Sequence, residues 1–170
     1  NKFLITYAAI LCYFSIWNSS EMHAQKVPSI HAEMNTFSRV ISPTPPPSIK
    51  FCNKSYSLQR FDARERMERE MLSFCYMHST TLQIIKKANR FFPIIVPILK
   101  EEGVPEDFKY LMVVESSLNT KAYSRTGAAG LWQLMRTTGR ELGLEINANI
   151  DERYNIYKAT KAACTYLKTR

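Results

Sequence analysis

Glu115 occupies a setting that calls for a chemical explanation. It follows Phe108, Leu111 and Met112 at spacings of three and four, so on a helix it shares the face that otherwise points inward. Desolvation among apolar groups penalises the charged carboxylate. A carboxyl held that way keeps its proton nearer neutrality and can give it up and take it back. Ser116 and Ser117 come next, then a polar stretch with Tyr123 and Ser124, the glycines Gly127 and Gly130, and the run Trp132, Gln133, Met135. An amide such as Gln133 both donates and accepts hydrogen bonds. The plain alternative is that Glu115 ends its helix and turns into water with no task.

The element that must carry Glu115 begins after Gly103, a good stop for the segment before it. Pro105 suits a first helical turn with Glu106 and Asp107 beside it. Upstream, RERMERE at Arg64–Glu70 offers Arg64 with Glu68, Glu65 with Arg69 and Arg66 with Glu70 at helical spacing. Met67, Met71, Phe74 and Cys75 supply an apolar stripe. Ser79 or Thr80 is the expected cap of a second helix whose Thr81, Ile84, Ile85, Ala88, Phe91 and Phe92 keep the period until Pro93. Pro93 and Pro97 predict a third helix, Ile94 to Glu102, that starts late or is kinked. Lys86, Lys87 and Arg90 read as a wet face. Downstream, Thr137–Arg140 and Gly143 are expected to break the helix after Met135. A last helix opens near Asp151 and carries Tyr157, Ala159, Ala162, Ala163, Tyr166 and Leu167. No strand, internal repeat or phosphate-binding loop is evident, so the expected fold is all-α.

The start of the chain reads differently. After Lys2, the apolar run Phe3–Trp17 and the short polar region ending Met22-His23-Ala24 resemble a secretory signal. Residues 1–24 are therefore expected to be a signal peptide cleaved after Ala24, or an N-terminal anchor. Residues 25–57, with Ser42-Pro43-Thr44-Pro45-Pro46-Pro47 at their centre, read as a Pro-rich, disordered linker. The domain then runs over 58–170. Removing Lys2 with Glu21 leaves the formal charge of +8 unchanged, which suits anionic envelope polymers or membrane surfaces. Basic residues are dispersed, which argues against nucleic acid. Cys52, Cys75 and Cys164 show no metal or redox spacing, and His23, His31 and His78 are isolated. No metal and no cofactor are expected.

Val114-Glu115-Ser116, Asn119, Ala122-Tyr123-Ser124, Gly127-Ala128-Ala129-Gly130-Leu131-Trp132-Gln133, Met135 and Thr138-Gly139-Arg140 resemble the lytic transglycosylases that cut bacterial peptidoglycan. That family, whose domain is termed SLT, belongs to the lysozyme-like superfamily. The likeness is strongest to its membrane-bound murein transglycosylase D branch. It continues through Asp151-Glu152-Arg153 and Ala159–Leu167, and covers Leu58 to Arg170.

The resemblance implies a lysozyme-like helical fold of the goose-type and SLT kind. It implies cleavage of the β-1,4 bond between N-acetylmuramic acid and N-acetylglucosamine with formation of a 1,6-anhydro end. Glu115 is then the catalytic acid and, in turn, the base. Ser124, Gln133 and Met135 correspond to substrate-binding positions, and Ser116 and Tyr123 to the cleft. Trp132 reads as core rather than a sugar platform. Glu141, Glu145 and Asp151 read as surface charges, with Asp151 alternatively pairing with Arg153 or capping its helix. The implied partner is the glycan strand. The implied location is the periplasm or cell envelope of a bacterium, with membrane association. Family domains continue with a further Tyr-bearing segment, so the expectation is a C-terminally incomplete domain whose activity belongs to a longer protein. Two other readings stay open: a goose-type hydrolase using water, and a non-catalytic peptidoglycan-binding domain.

Overall fold

The computed structural model describes residues 42–169; the signal segment and residues 25–41 of the linker lie outside them. Among the described residues two strands, β1 (Ser48–Phe51) and β2 (Lys54–Ser57), precede five helices: α1 (Phe61–Tyr76), α2 (His78–Glu101), α3 (Leu111–Ser116), α4 (Arg136–Glu141) and α5 (Ile156–Lys168). Short 3₁₀ turns at Glu106–Tyr110 and Glu152–Tyr154 lead into α3 and α5. The fold is largely helical.

The described residues divide into two units, one holding those up to Lys50 with Ser55–Tyr76, the other Phe51–Lys54 with those from Met77 on. In the first, Met67 and Met71 of α1 are buried with Ile49 and Leu58, and Ala63 packs against them. Of the ion pairs expected along α1, Glu65 with Arg69 forms, at 3.9 Å between exposed side chains, and such a pair contributes little.

The hairpin corrects the expectation that the chain holds no strand. Its turn is Cys52-Asn53, both left-handed with φ of 47° and 62°, the conformation a two-residue hairpin needs. The Cys52 N–H donates to Asp107 Oδ2 at 2.7 Å, and the Phe51 ring meets Phe108 edge-on at 5.9 Å. Those tertiary partners hold a turn that Cys would not choose alone.

In the second unit, α2 is one helix of 24 residues with Pro93 and Pro97 inside it. The expected break does not occur, because the prolines fall on the wet face. Asn89, Pro93 and Pro97 are all exposed, so water can reach the Asn89 and Pro93 carbonyls that lose their helical donors. On the other face Ile84, Ala88, Phe91, Ile95, Ile98 and Leu99 form an unbroken buried stripe. Neither Ser79 nor Thr80 caps this helix; the cap position is Met77, which makes no side-chain bond.

The far end of α2 follows the sequence closely. Gly103 takes φ 67°, its N–H donates to Lys100 O, and the Val104 N–H reaches back to Leu99 O at 2.8 Å. This pair of bonds satisfies the helix's last carbonyls and turns buried Val104 inward. Helix α2 then packs against α5 and the first 3₁₀ turn. Ala159, Ala162 and Ala163 of α5 are buried as their small size allows. Asn155 caps α5 by accepting from the Lys158 N–H.

Candidate active site

Helix α3 carries Glu115 one residue from its end. Met112 and Val113 are buried and fix the helix in the core, and the chain then reverses through Ser117 and Leu118 at φ 50° and 55°. Leu118 is 1% exposed, so its burial offsets the strain of a left-handed conformation there. The Ser116 hydroxyl lies 3.0 Å from Met112 O and 3.0 Å from Leu131 O. It ties α3 to the segment that follows.

That segment, residues 122–135, is folded by bridges between Tyr123 and Ala129 and between Ala129 and Leu134. The buried Arg153 guanidinium anchors it from below. Arg153 is 1% exposed and donates to Gly127 O at 2.6 Å, to Leu134 O at 3.0 Å, and to both Asp151 carboxylate oxygens at 2.9 and 2.6 Å. Asp151 therefore takes both roles read from the sequence, since it also accepts from the Arg153 backbone N–H. The hydrogen bond from Arg153 holds the Asp151 carboxyl below its ordinary range. Gly130 shows how closely the pieces approach: at φ 76°, a Cβ there would stand 2.0 Å from Arg153 O.

The result is a cavity of about 200 Å³ between α3, the 132–135 stretch and α5. Glu115, Gln133 and Met135 line it together with Leu111, Trp132 and Tyr166. Gln133 sits at φ 47°, and its Nε2 donates to Gly130 O at 2.9 Å and weakly to Ala122 O at 3.4 Å. These bonds fix the amide and leave its carbonyl oxygen for a ligand. Met135 is 41% exposed at the rim. Trp132 is buried, its Nε1–H donating to Thr160 Oγ1 at 3.0 Å, which is the core role read for it.

Glu115 is more open than its spacing suggests. The residue is exposed at the cavity's mouth rather than sealed in the core, because α3 ends beside it and no further turn covers it. Protein walls still displace part of its hydration shell, and this desolvation raises its pKa above the ordinary carboxyl value. For so open a group the effect is modest.

Three of the residues singled out from sequence do not line this cavity. Ser124 is occupied within its own turn, bonded to Thr126 Oγ1 at 3.0 Å and accepting from the Ala128 N–H at 2.9 Å. Ser116 serves as the tie to Leu131. Tyr123 is 65% exposed. Contributions that sequence reasoning did not assign come from Leu111, Tyr166 and Leu167 in the cavity wall. Spacing within α5 marks the last two only as part of an apolar face. Among the described residues no group of three His, Cys, Asp or Glu side chains is arranged to hold a metal ion. No helix among them is long and apolar enough to cross a membrane.

Residues 92–170 match the family profile described as Transglycosylase SLT domain. Residues 92–170 are thus similar to the SLT domain. The membrane-bound lytic murein transglycosylase D of Escherichia coli (strain K12) is 30% identical over 105 residues, covering 62% of this chain and 22% of the relative. The protein of the same name from Escherichia coli O6:H1 gives the same figures. A putative tributyltin chloride resistance protein of Alteromonas sp. (strain M-1) is 26% identical over 93 residues, 55% of this chain and 45% of its own length. The chain thus spans about a fifth of the length of the murein transglycosylases it matches. The matched residues 92–170 contain the whole of the Glu115 cavity, from Leu111 to Leu167.

Proposed function

We propose that this chain carries the acid-bearing part of a peptidoglycan lytic transglycosylase. The observation that carries the reading is that Glu115 is the one carboxylate among the described residues lining the cavity, with Gln133 in the same wall. Hydrolytic glycosidases ordinarily bring two carboxylates to the scissile bond. A single one suffices if the substrate supplies its own nucleophile. Protonated Glu115 gives its proton to the oxygen between N-acetylmuramic acid and N-acetylglucosamine, and that bond breaks with the N-acetylglucosamine hydroxyl leaving. The carboxylate so formed takes the proton of the muramyl C6 hydroxyl as that oxygen bonds to C1. The product ends in a 1,6-anhydro ring, no water is consumed, and Glu115 is returned protonated.

The raised pKa of Glu115 serves the first step, since more of the acid form is present near neutrality. Gln133, with its nitrogen already engaged, presents its carbonyl to a sugar hydroxyl or acetamido N–H. Met135 offers an adaptable apolar edge at the rim. Ser124 and Ser116 act by holding the backbone around the cavity. Similarity to membrane-bound lytic murein transglycosylases favours an exported protein of the cell envelope that acts on glycan strands.

The test is digestion of purified sacculi by the full-length protein, with mass spectrometry of the released muropeptides. Anhydro ends, one water lighter than reducing ends, are expected from the parent and are expected to be lost in Glu115→Gln. Reducing ends instead would show a hydrolase. Equal digestion by the Gln variant would show that Glu115 is not the acid.

A further inference from the structure

A second cavity in the same unit, about 330 Å³, lies beyond the end of α3. Lys86, Lys87 and Arg90 of α2 line one side, Asn119 and Thr120 the other, with Phe91 and Leu118 as apolar walls. Among the described residues none of these three cations has a carboxylate within ion-pair distance. Lys100, Lys158, Lys168 and Arg153 of the same unit are each matched, to Glu106, Glu152, Glu102 and Asp151, and others, among them Lys109 and Lys161, are not. Three uncompensated cations around one concavity concentrate positive potential there.

The cavity is also held in shape. The Lys87 Nζ donates to Ser117 O at 3.1 Å, which places a cation against the backbone two residues past Glu115 and leaves it further N–H donors. Arg90 lies over the Phe91 ring, 5.4 Å from its centre, a geometry that favours a flat guanidinium. Asn119 accepts from the Lys121 N–H through its Oδ1 at 3.0 Å, so its amide N–H groups stay available. The left-handed pair Ser117 and Leu118 sets the course of the wall.

We infer that this cavity binds a short acidic peptide carrying more than one carboxylate. The cations supply charge, Asn119 and Thr120 supply hydrogen bonds to peptide groups, and Phe91 and Leu118 supply an apolar wall. A bare phosphate would use only the first of these. The identity of the peptide rests on the function proposed above: a peptidoglycan strand bears acidic stem peptides on its muramyl sugars, and the cavity starts a few residues beyond the acid that cuts beside those sugars.

The test is a titration of the isotopically labelled chain, read by backbone amide NMR. The probes are a peptidoglycan stem tetrapeptide with free carboxylates, the same peptide fully amidated, and inorganic phosphate. The free peptide is expected to shift Ser117–Thr120 saturably, with the other two probes roughly tenfold weaker and the affinity falling with added salt. Lys86 and Arg90 are exposed, so the double variant Lys86→Gln, Arg90→Gln keeps the fold and is expected to weaken the peptide roughly fivefold. Equal binding by the amidated peptide, equal binding by phosphate, or unchanged affinity in the double variant would each overturn the assignment. No bond is cut in this measurement. Glu115→Gln should bind the peptide as the parent does, so failure of the catalytic reading and failure of the peptide site are told apart.

Discussion

Replacing Asp151 by Asn removes one charge from the pair that anchors the Gln133 segment, and its cost can be worked from the contacts. Arg153 is 1% exposed and the Asp151 side chain 19%, so neither group is well screened by water. Asn keeps an oxygen to accept from Arg153 Nε but sets an NH2 group against Nη2, where the parent has a bond of 2.6 Å. One charge-assisted bond, worth about 1.5–3 kcal/mol, is lost. The guanidinium also loses its counter-charge, and breaking a buried pair in this way costs about 3–5 kcal/mol. Because one acceptor survives, the expectation is about 3 kcal/mol, near the lower end of that range. Urea unfolding followed by tryptophan emission in a Trp17→Phe background reports it directly, since buried Trp132 sits within the anchored segment. The pH dependence is a second check. The Asp151 carboxyl is depressed in the folded chain, chiefly by its hydrogen bond from Arg153. Its contribution is therefore complete above the unfolded carboxyl value of about 4 and is lost as pH falls through the lower folded value. The lead of the parent over Asp151→Asn should shrink as the solution is acidified below about 4. A loss under about 1 kcal/mol at neutral pH, the range of an exposed pair, or a lead that persists undiminished into acid, would refute the role given to this pair.

Gly130→Ala is expected to cost about 3 kcal/mol or more, because it combines a left-handed residue with a Cβ driven into the Arg153 carbonyl. Gly143→Ala, at φ 84° with nothing within 4 Å of the added methyl, should cost only the backbone strain, about 1 kcal/mol; urea midpoints of the two variants separate the effects. In the full-length protein, kcat/KM for glycan cleavage should fall as pH rises through the raised pKa of Glu115, since the protonated carboxyl is the acid. A profile flat across that range would remove Glu115 from the proton-transfer step.

Residue patterns announced some of these features and hid others for identifiable reasons. Met67 and Met71 of α1 and the alanines of α5 were plain from their periodicity, and Gly103 marked the end of α2 through the left-handed position it fills. Pro93 and Pro97 pointed to a break because proline removes a donor wherever it stands. Whether that matters depends on whether the orphaned carbonyl faces water, and only the packed helix decides which face is wet. The hairpin was hidden because Cys-Asn is a poor turn signal. Its left-handed Cys52 is held by Asp107, a residue 55 positions away. Ser124 was marked by its place in the motif, whereas the use of its hydroxyl within its own turn is visible only in the folded chain.

By itself the sequence determined the apolar stripe of α1, the end of α2 at Gly103, the small buried face of α5, the SLT-like motif from Glu115 to Met135, and the presence of Asp151 two residues before Arg153, because these depend on local spacing and residue type. Tertiary structure alone decided that Glu115 stands exposed at a cavity mouth and that Gln133 shares its wall while Ser124 does not. It also decided that one buried guanidinium gathers Gly127, Leu134 and Asp151 around itself. Solvent access and hydrogen-bond choice depend on which groups arrive from distant parts of the chain, and helical periodicity carries no information about those arrivals.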